Sequence, residues 1–374
     1  MPFMSEWECP KNDSEELAWL RLIRSENVGP ATFFALMRRY VSPEAALRAL
    51  PDLAKRGGLK RKIKLAPESE TAQEFDAARK AGAQFIFWGT PRYSNLLAAA
   101  EQSPPILTVK GNAELLLGPC VAMVGARNAS AAGKKIARTI AGELGAHGHT
   151  VVSGMARGVD TAAHEGALKT GTIAVMAGGA DFVYPPQNEA LYETISEGGC
   201  VVSEMPWGLS PQARHFPRRN RIVSGLSSGV VVVEAAARSG SLITARFAAE
   251  QNRDVFAVPG SPLDPRAEGS NRLIQDGARL ALSAEDVIDH LAQFPPRTTL
   301  RSLPQSSLQF EEPEDIPDDL RTNISNLLGG APIGLDDLVR ETGEPAGIIS
   351  GILLELELAG VVERQAGPTF RRLT

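Results

Sequence analysis

A series of short apolar runs through the middle of the chain constrains its fold more than any other feature. Most of the runs are rich in valine, end in Gly, Ser or Pro, and are separated by enough residues for one helix. Continuous apolar runs are typical of strands buried on both faces, and crossover helices let such strands lie parallel. The pattern therefore predicts an α/β fold with a doubly wound parallel sheet. The runs are VAMVGA (121–126), TVVSGM (150–155), TIAVMAGG (172–179), VVSEMP (201–206), VVVVEAA (230–236) and VFAVPG (255–260).

The sequence on either side of these runs indicates further domains. Residues 1–75 are predicted to form a small helical domain, in which NVGPAT separates two helices as in a helix-hairpin-helix module; a plain helical packing domain is an equal alternative. The sheet domain is predicted over 76–295, with a strand-rich lead-in at 85–111. Residues 296–317, rich in Pro, Ser and Glu, are predicted to be a flexible linker. Helices near 319–328, 335–342 and 345–359, followed by a strand-turn-strand, predict a winged-helix-like domain over 318–374.

Composition narrows the classes of protein that this chain can represent. The 374 residues carry a formal net charge of -5, and no apolar run is long enough to span a bilayer. The acidic, polar N-terminus is unlike a secretory signal. Three cysteines without CxxC spacing argue against a disulfide framework and against a structural zinc site. We expect a cytoplasmic protein without a membrane segment.

The loops that follow the predicted strands are the expected ligand-binding positions of such a sheet. The first carries Gly125, Arg127 and Ser130 before a helix, where free backbone N–H groups and a guanidinium favour an anion. Asp160 is predicted to cap the helix that follows the second loop. The full set of loop residues predicted to bind phosphate is Gly125, Arg127, Ser130, Ser153, Gly154, Arg157, Gly240, Ser241 and Thr244.

Several familiar motifs are absent from these loops. Arg127 stands where a dinucleotide fingerprint needs a second glycine, and Gly133 is followed by two lysines rather than by the Lys-Ser or Lys-Thr of a P-loop. His164-Glu165 lacks the second histidine of a zinc protease motif, so we expect no metal and interpret His164 as a surface or packing residue. No cofactor is predicted.

A basic segment free of acidic residues lies between the fourth and fifth runs. From 205 to 233 the chain has no Asp or Glu, although the protein as a whole is acidic. Such a segment favours a polyanion, here a nucleic-acid backbone. We predict that it contributes the block Arg218, Arg219, Asn220 and Arg221, while carboxylates from elsewhere in the fold remain possible partners of these arginines. Tyr184 and Phe216 lie near the loops as base-stacking candidates or as core residues.

Several segments of the sheet domain follow one another in a characteristic order: GARNAS, SGMARGVDTAAH, HFPRRNRIVSGLS, EAAARSGSLITARFA and VFAVPG followed by GSNRLIQDGA. In this order they resemble the DNA-processing protein A (DprA/Smf) family. The resemblance implies an extended Rossmann fold that binds single-stranded DNA, forms a homodimer and loads the RecA recombinase onto incoming strands during natural transformation. It implies that Arg127 and the 218–221 block contact DNA, that Ser153, Gly154, Gly240, Ser241 and Thr244 face phosphate, and that the protein is not an enzyme.

Two other functions stay open from the residues alone. One is a nucleotide hydrolase on a related Rossmann fold, in which Glu204 and Glu234 at strand ends act as acid or base. The other is a protein adaptor whose basic segment binds an acidic partner. The last domain is expected to have a protein-contacting or regulatory role, because 341–363 contains Glu344, Glu355 and Glu357 but no Lys or Arg. Weak DNA contact through the wing stays open as an alternative, since the wing carries Arg364, Arg371 and Arg372.

Overall fold

The computed structural model describes residues 9–294, 317–365, 367 and 369–373. Apart from Pro317, the predicted linker lies outside the described residues. The chain divides into two compact units, of which one is continuous, Glu74–Leu300, and the other combines Met1–Gln73 with Arg301–Thr374. The two terminal segments, predicted as separate domains, therefore belong to one unit.

The continuous unit contains a nine-stranded sheet in the order β1-β2-β6-β5-β4-β3-β7-β8-β9. Strands β2 to β9 alternate with helices along most of this segment, as the spacing of the apolar runs predicts. The strands are β1 Ala83–Phe87, β2 Ile106–Gly111, β3 Cys120–Val124, β4 Thr150–Ser153, β5 Thr172–Val175, β6 Cys200–Ser203, β7 Gly229–Val232, β8 Asp254–Ala257 and β9 Arg279–Leu280. Helix α4, Glu68–Lys80, crosses the boundary between the two units. The other helices are α5 Asn95–Ala98, α6 Ala131–Ala146, α7 Val159–Ala167, α8 Glu189–Gly198, α9 His215–Gly225, α10 Ser241–Glu250, α11 Glu268–Gln275 and α12 Ala284–Gln293.

Seven strands, β3 to β9, run parallel to one another. At one edge β2 pairs antiparallel with β6, and β1 pairs antiparallel with β2. Both faces are buried: Ala122 and Val124 of β3 pack into one apolar cluster, while Val121 and Met123 pack into another. This confirms the doubly wound fold. From β3 the chain builds β4 to β6 on one side and β7 to β9 on the other, so the strand order reverses beside β3, where such sheets bind ligands.

The second unit holds the two terminal segments. The N-terminal helices begin at recognisable caps, for example Asn12, whose side chain accepts from the Glu15 amide, and Ser42, which precedes Pro43. The C-terminal segment has three helices and a three-stranded sheet in the order β10-β12-β11, which is the predicted winged-helix arrangement. The elements are α1 Asp13–Arg24, α2 Pro30–Tyr40, α3 Pro43–Arg56, α13 Asp318–Leu327, β10 Ile333–Gly334, α14 Leu335–Thr342, α15 Ala346–Leu358, β11 Val362–Arg364 and β12 Thr369–Arg372.

Candidate nucleic-acid interface

A cavity of about 270 Å³ opens at the carboxyl edge of the parallel strands. Arg127 comes from the loop after β3, Arg157 from the loop after β4, and Tyr184 and Phe216 from segments after β5 and β6. Both arginines are exposed and form no ion pair within the described part of the chain. The structure therefore brings together two of the predicted arginines and both aromatic candidates.

The aromatic rings give the cavity a second chemical character. The Tyr184 and Phe216 ring centroids are 5.4 Å apart with an interplanar angle of 59°, and the Arg127 guanidinium lies 5.4 Å from the Phe216 centroid. Tyr184 is 46% exposed, so its ring is available to a ligand. A nucleotide base can stack on these rings while its phosphate contacts a guanidinium group. Proteins that bind single-stranded nucleic acids use this combination. The cis Tyr184–Pro185 bond and Gln187 in this lining were not predicted from the sequence.

The basic block 218–221 divides between surface and interior. Arg218 is exposed and Asn220 is partly exposed, with its amide donating to the Gly240 carbonyl at 3.4 Å. Arg219 and Arg221 are only 6% and 5% exposed, which differs from the expectation that the whole block faces a ligand. Helical geometry explains the division, because successive residues of α9 point in different directions and two of them face the sheet.

Arg219 joins the loops that form the cavity. Its guanidinium donates to the carbonyls of Gly154 and Val175, at the ends of β4 and β5. Burial lowers the pKa of Arg219 to about 10, so the group stays charged at neutral pH. A Cβ at Gly154 would lie 2.5 Å from the guanidinium carbon, so glycine is needed there to admit Arg219 rather than a phosphate. Arg219 thus joins the loops from inside, Gly154 also lines the cavity, and contact of either residue with phosphate stays a prediction.

Arg221 is paired with a carboxylate from another strand end. Its guanidinium bonds to Glu204 and donates to the Gln102 carbonyl at 2.5 Å. The two paired side chains are only 6% and 10% exposed. Arg221 is thus a buried, ion-paired arginine, which argues against its predicted contact with DNA. Its acidic partner follows β6 and is 17 residues distant in sequence.

The N-terminus of α6, predicted to cradle a phosphate, is occupied by the chain's own carboxylate. Glu234 accepts the Ser130 amide at 2.9 Å and also the Ser130 hydroxyl, which in turn accepts the Gly133 amide at 2.9 Å. A Cβ at Gly133 would lie 2.5 Å from the Glu234 carboxyl carbon. Gly125 serves close packing instead, since a Cβ there would lie 2.6 Å from Val159. These contacts argue against Ser130 and Gly125 as phosphate-binding residues, a role that stays a prediction.

The remaining predicted loop residues also lie mostly inside. Ser153 is fully buried and donates to the Met123 carbonyl at 2.6 Å, and Thr244 is 1% exposed. The hydroxyls of Ser241 and Ser239 are 2.7 Å apart, and Ser241 is 7% exposed. Of the predicted residues after β7, Gly240 is exposed, and it lies close in sequence to exposed Arg238, which sequence reasoning missed. The burial of Ser153, Ser241 and Thr244 argues against direct phosphate contact by their side chains, which stays a prediction.

Asp160 does not cap its helix as predicted; it closes the turn before the helix. Its carboxylate accepts the amides of Gly154 and Ala156, both at 3.2 Å. Burial raises the pKa of Asp160, and Arg219, the two amides and Arg127 oppose that rise. Arg127 therefore interacts electrostatically with Asp160, while its guanidinium group and that of Arg157 stay exposed.

Most of the sheet unit matches a known protein family. The family model described as "DNA recombination-mediator protein A" matches residues 84–292. The chain belongs to this family. Two further models match outside the sheet domain: "DprA-like N-terminal HHH domain" at 13–77 and "DprA winged helix domain" at 309–368.

Similarity to individual proteins supports the same family membership. Protein Smf of Synechocystis is 32% identical over 395 residues, covering 96% of this chain and 99% of that protein. The X-ray structure of DNA processing protein A from Streptococcus pneumoniae has a TM-score of 0.62 at 36% identity, covering 75% of this chain and 98% of that one. The structure of DNA processing protein A from Helicobacter pylori, which concerns a single-stranded DNA binding mode, has a TM-score of 0.51 at 30% identity, covering 56% and 96%.

No helix in the described ranges combines the length and apolar character that crossing a bilayer requires.

Proposed function

We propose that this chain binds single-stranded DNA at the carboxyl edge of its sheet and acts as a recombination mediator without enzymatic activity. The observation that carries the proposal is the cavity in which exposed, unpaired Arg127 and Arg157 stand beside the Tyr184–Phe216 ring pair. Arg218 and Arg238 add exposed charge on the segments that follow β6 and β7. Membership of a DNA recombination-mediator family, and the single-stranded DNA binding mode of the Helicobacter pylori protein, support the same ligand.

The interface would hold DNA by charge and stacking rather than by reading base edges. Guanidinium groups neutralise phosphates and release counterions, so binding weakens with salt at a slope of about -0.7 per phosphate contacted on a single strand. Four such contacts correspond to a loss of roughly 50-fold between 50 and 200 mM salt. Base stacking on Phe216 tolerates any base, because every base presents a π-face.

Fluorescence anisotropy with labelled oligo-dT tests this proposal directly. Arg127→Ala should weaken binding and make the salt dependence shallower by about 0.7, while Lys169→Ala, an exposed lysine elsewhere in the sheet unit, should change neither. Phe216→Ala should lose about 1–3 kcal/mol of binding free energy with little change in salt slope. A flat salt response of the unmodified chain would overturn the proposal.

The proposed cellular role is to load RecA onto incoming DNA in natural transformation, as a cytoplasmic homodimer. Its support is the family membership rather than a particular contact. A loading assay tests it: RecA assembly on oligo-dT coated with single-strand binding protein should accelerate when the chain is added, and Arg127→Ala should reduce that gain. Size-exclusion chromatography with light scattering tests the dimer.

The nucleotide hydrolase loses support because its two candidate carboxylates are already engaged. Glu204 bonds to buried Arg221, and Glu234 receives the Ser130 amide and hydroxyl. We expect no release of base from AMP or CMP. Turnover that disappears in Glu234→Gln would overturn the non-enzymatic assignment, and a gel shift with oligo-dT separates DNA binding from a purely protein-binding adaptor.

A further inference from the structure

A second basic segment lies outside the sheet unit, between α3 and α4. From 53 to 67 the chain has no Asp or Glu, and we call residues 55–64 of this stretch the basic strap. All of its Lys and Arg side chains are exposed: Lys55, Arg56, Lys60, Arg61, Lys62 and Lys64. An acid-free cluster of this density concentrates positive potential within an acidic protein.

The basic strap is fastened to the hairpin between α1 and α2. The Glu26 amide donates to the Lys64 carbonyl at 3.0 Å, and the Lys64 amide donates to the Glu26 carboxylate at 2.9 Å. One step further, the Ala66 amide donates to the Ser25 hydroxyl at 3.1 Å. The Ile63 side chain is only 6% exposed and anchors the segment in the interior of the unit. The charges are therefore presented by fixed backbone, so a ligand need not order the segment when it binds.

Most of the cationic side chains on the basic strap form no ion pair within the described part of the protein. Arg61 pairs with Glu26, and Arg56 lies 3.2 Å from the Glu355 carboxylate. The remaining four lysines form no ion pair with any residue that the structure describes. Lys62 and Lys64 flank buried Ile63, and both lysine side chains are exposed.

The winged helix cannot supply this surface through its own helix-turn-helix. The second helix of such a pair normally enters the groove, and here that helix is α15. Instead, α15 packs against α2 and α3 of the same unit. The Asn27 amide donates to the Leu358 carbonyl at 2.9 Å, and a Cβ on Gly57 would lie 2.0 Å from the Glu355 carbonyl oxygen. Because α15 is covered, carries acidic residues and has no Lys or Arg, it offers no cation to a phosphate, whereas the basic strap of the same unit presents six exposed Lys and Arg side chains.

We propose that the basic strap is a second binding surface for a single-stranded nucleic-acid backbone, separate from the sheet-edge cavity. The inference rests on the proposed function in taking the same class of ligand. Lysine ammonium groups act as point charges without the planar fork that fixes a guanidinium contact, so the strap binds phosphate without regard to base. Its contribution adds to affinity and to salt dependence, not to sequence preference.

A double variant with a matched control measures that contribution. Lys60→Gln/Lys62→Gln removes two charges from the strap without touching the Lys64–Glu26 contacts, and Lys80→Gln/Lys169→Gln removes two exposed lysines elsewhere. Binding to an oligo-dT series of increasing length is followed by anisotropy between 50 and 200 mM salt. On the longest strands the strap variant should lose about 1.4 from the salt slope, so that its affinity falls about 7-fold less over that range. The control should match the unmodified chain.

The outcomes separate this inference from the proposed function. An unchanged slope in the strap variant, alongside weakened binding by Arg127→Ala, would overturn the strap and leave the sheet-edge site intact. Absence of oligo-dT binding by the unmodified chain would overturn both. Thermal unfolding of both double variants should match the unmodified chain, because the four lysines are exposed.

Discussion

His164 shows how one buried side chain makes the stability of the sheet unit depend on pH. Its Nδ1 lies 2.8 Å from the Thr172 hydroxyl, which donates onward to the Val151 carbonyl, so the imidazole is the donor and its Nε2 has no partner. Burial, assisted by Arg219, lowers the pKa of His164 to about 3 from the ordinary value near 6.5.

Between those two values the unfolded chain binds a proton that the folded chain does not, so stability falls as pH falls from about 6.5 towards 3. At pH 5 the loss is about 2 kcal/mol. In His164→Gln, which keeps a side-chain donor but cannot titrate, the free energy of unfolding should change less between pH 7 and pH 5 by that amount. Urea denaturation at both pH values measures this, and equal pH dependence in the two proteins would contradict it.

Arg221 and Arg218 lie three residues apart in α9, but their replacement by alanine should have different effects: the first lowers stability, and the second weakens DNA binding. Arg221→Ala leaves the Glu204 carboxylate buried without its guanidinium, which should cost about 3 kcal/mol of unfolding free energy. Arg218→Ala removes an exposed side chain and should change stability by less than about 0.5 kcal/mol, while weakening oligo-dT binding. Denaturation and anisotropy on the same samples separate the effects. Arg221→Met/Glu204→Leu should recover stability, and a failure to do so would mean that the pair is not the cause.

The arginines of the candidate site show how far the sequence could predict that site. Arg127 and Arg157 follow strand ends and are exposed as the loop argument requires. The basic segment, however, lacks acidic residues only along the chain; folding brings Glu204 to Arg221 across 17 positions. Which face of α9 packs on the sheet decides which arginines stay outside, and four consecutive polar residues carry no apolar period from which to read that face.

At the scale of secondary-structure elements, the sequence predicted most of the strands. It did not predict the interactions at the N-terminus of α6. Valine-rich runs buried on both faces identify β3 to β8 because no other local structure buries such short, continuous segments as well. The two-residue β9 carries too little sequence for such a pattern. The carboxylate at the start of α6 arrives from Glu234, 104 residues away, so a cap that looked open to phosphate in the sequence is closed in the fold.

The contact between α3 and α15 gives a prediction about two elements distant in sequence. Gly57 has ordinary backbone angles, but a Cβ there would lie 2.0 Å from the Glu355 carbonyl oxygen. Gly57→Ala should therefore lower the free energy of unfolding of this unit by about 1–3 kcal/mol. Gly330→Ala, with open space around its Cβ, is the control in the same unit. Hydrogen exchange should quicken in α3 and α15 of the first variant alone; equal exchange in both would contradict the contact.

At the scale of the whole molecule, the two terminal segments of the chain pack against each other within one unit. Buried Glu355 of α15 lies between Arg321 at 2.8 Å and Arg56 at 3.2 Å, one from each terminal segment. Removing residues 317–374 would expose the faces of α2 and α3 that α15 covers.

Hydrogen exchange on two truncated chains tests this organisation. In a chain ending at 294, amides of α1 to α3 should exchange faster than in the full chain, whereas amides of β3 to β7 should keep their protection. A chain of residues 67–294, which retains the whole of α4, should show the same protection in the sheet and still bind oligo-dT through Arg127 and Phe216. Because the sheet closes both of its apolar clusters with its own helices, loss of sheet protection in either chain would show that the units fold as one.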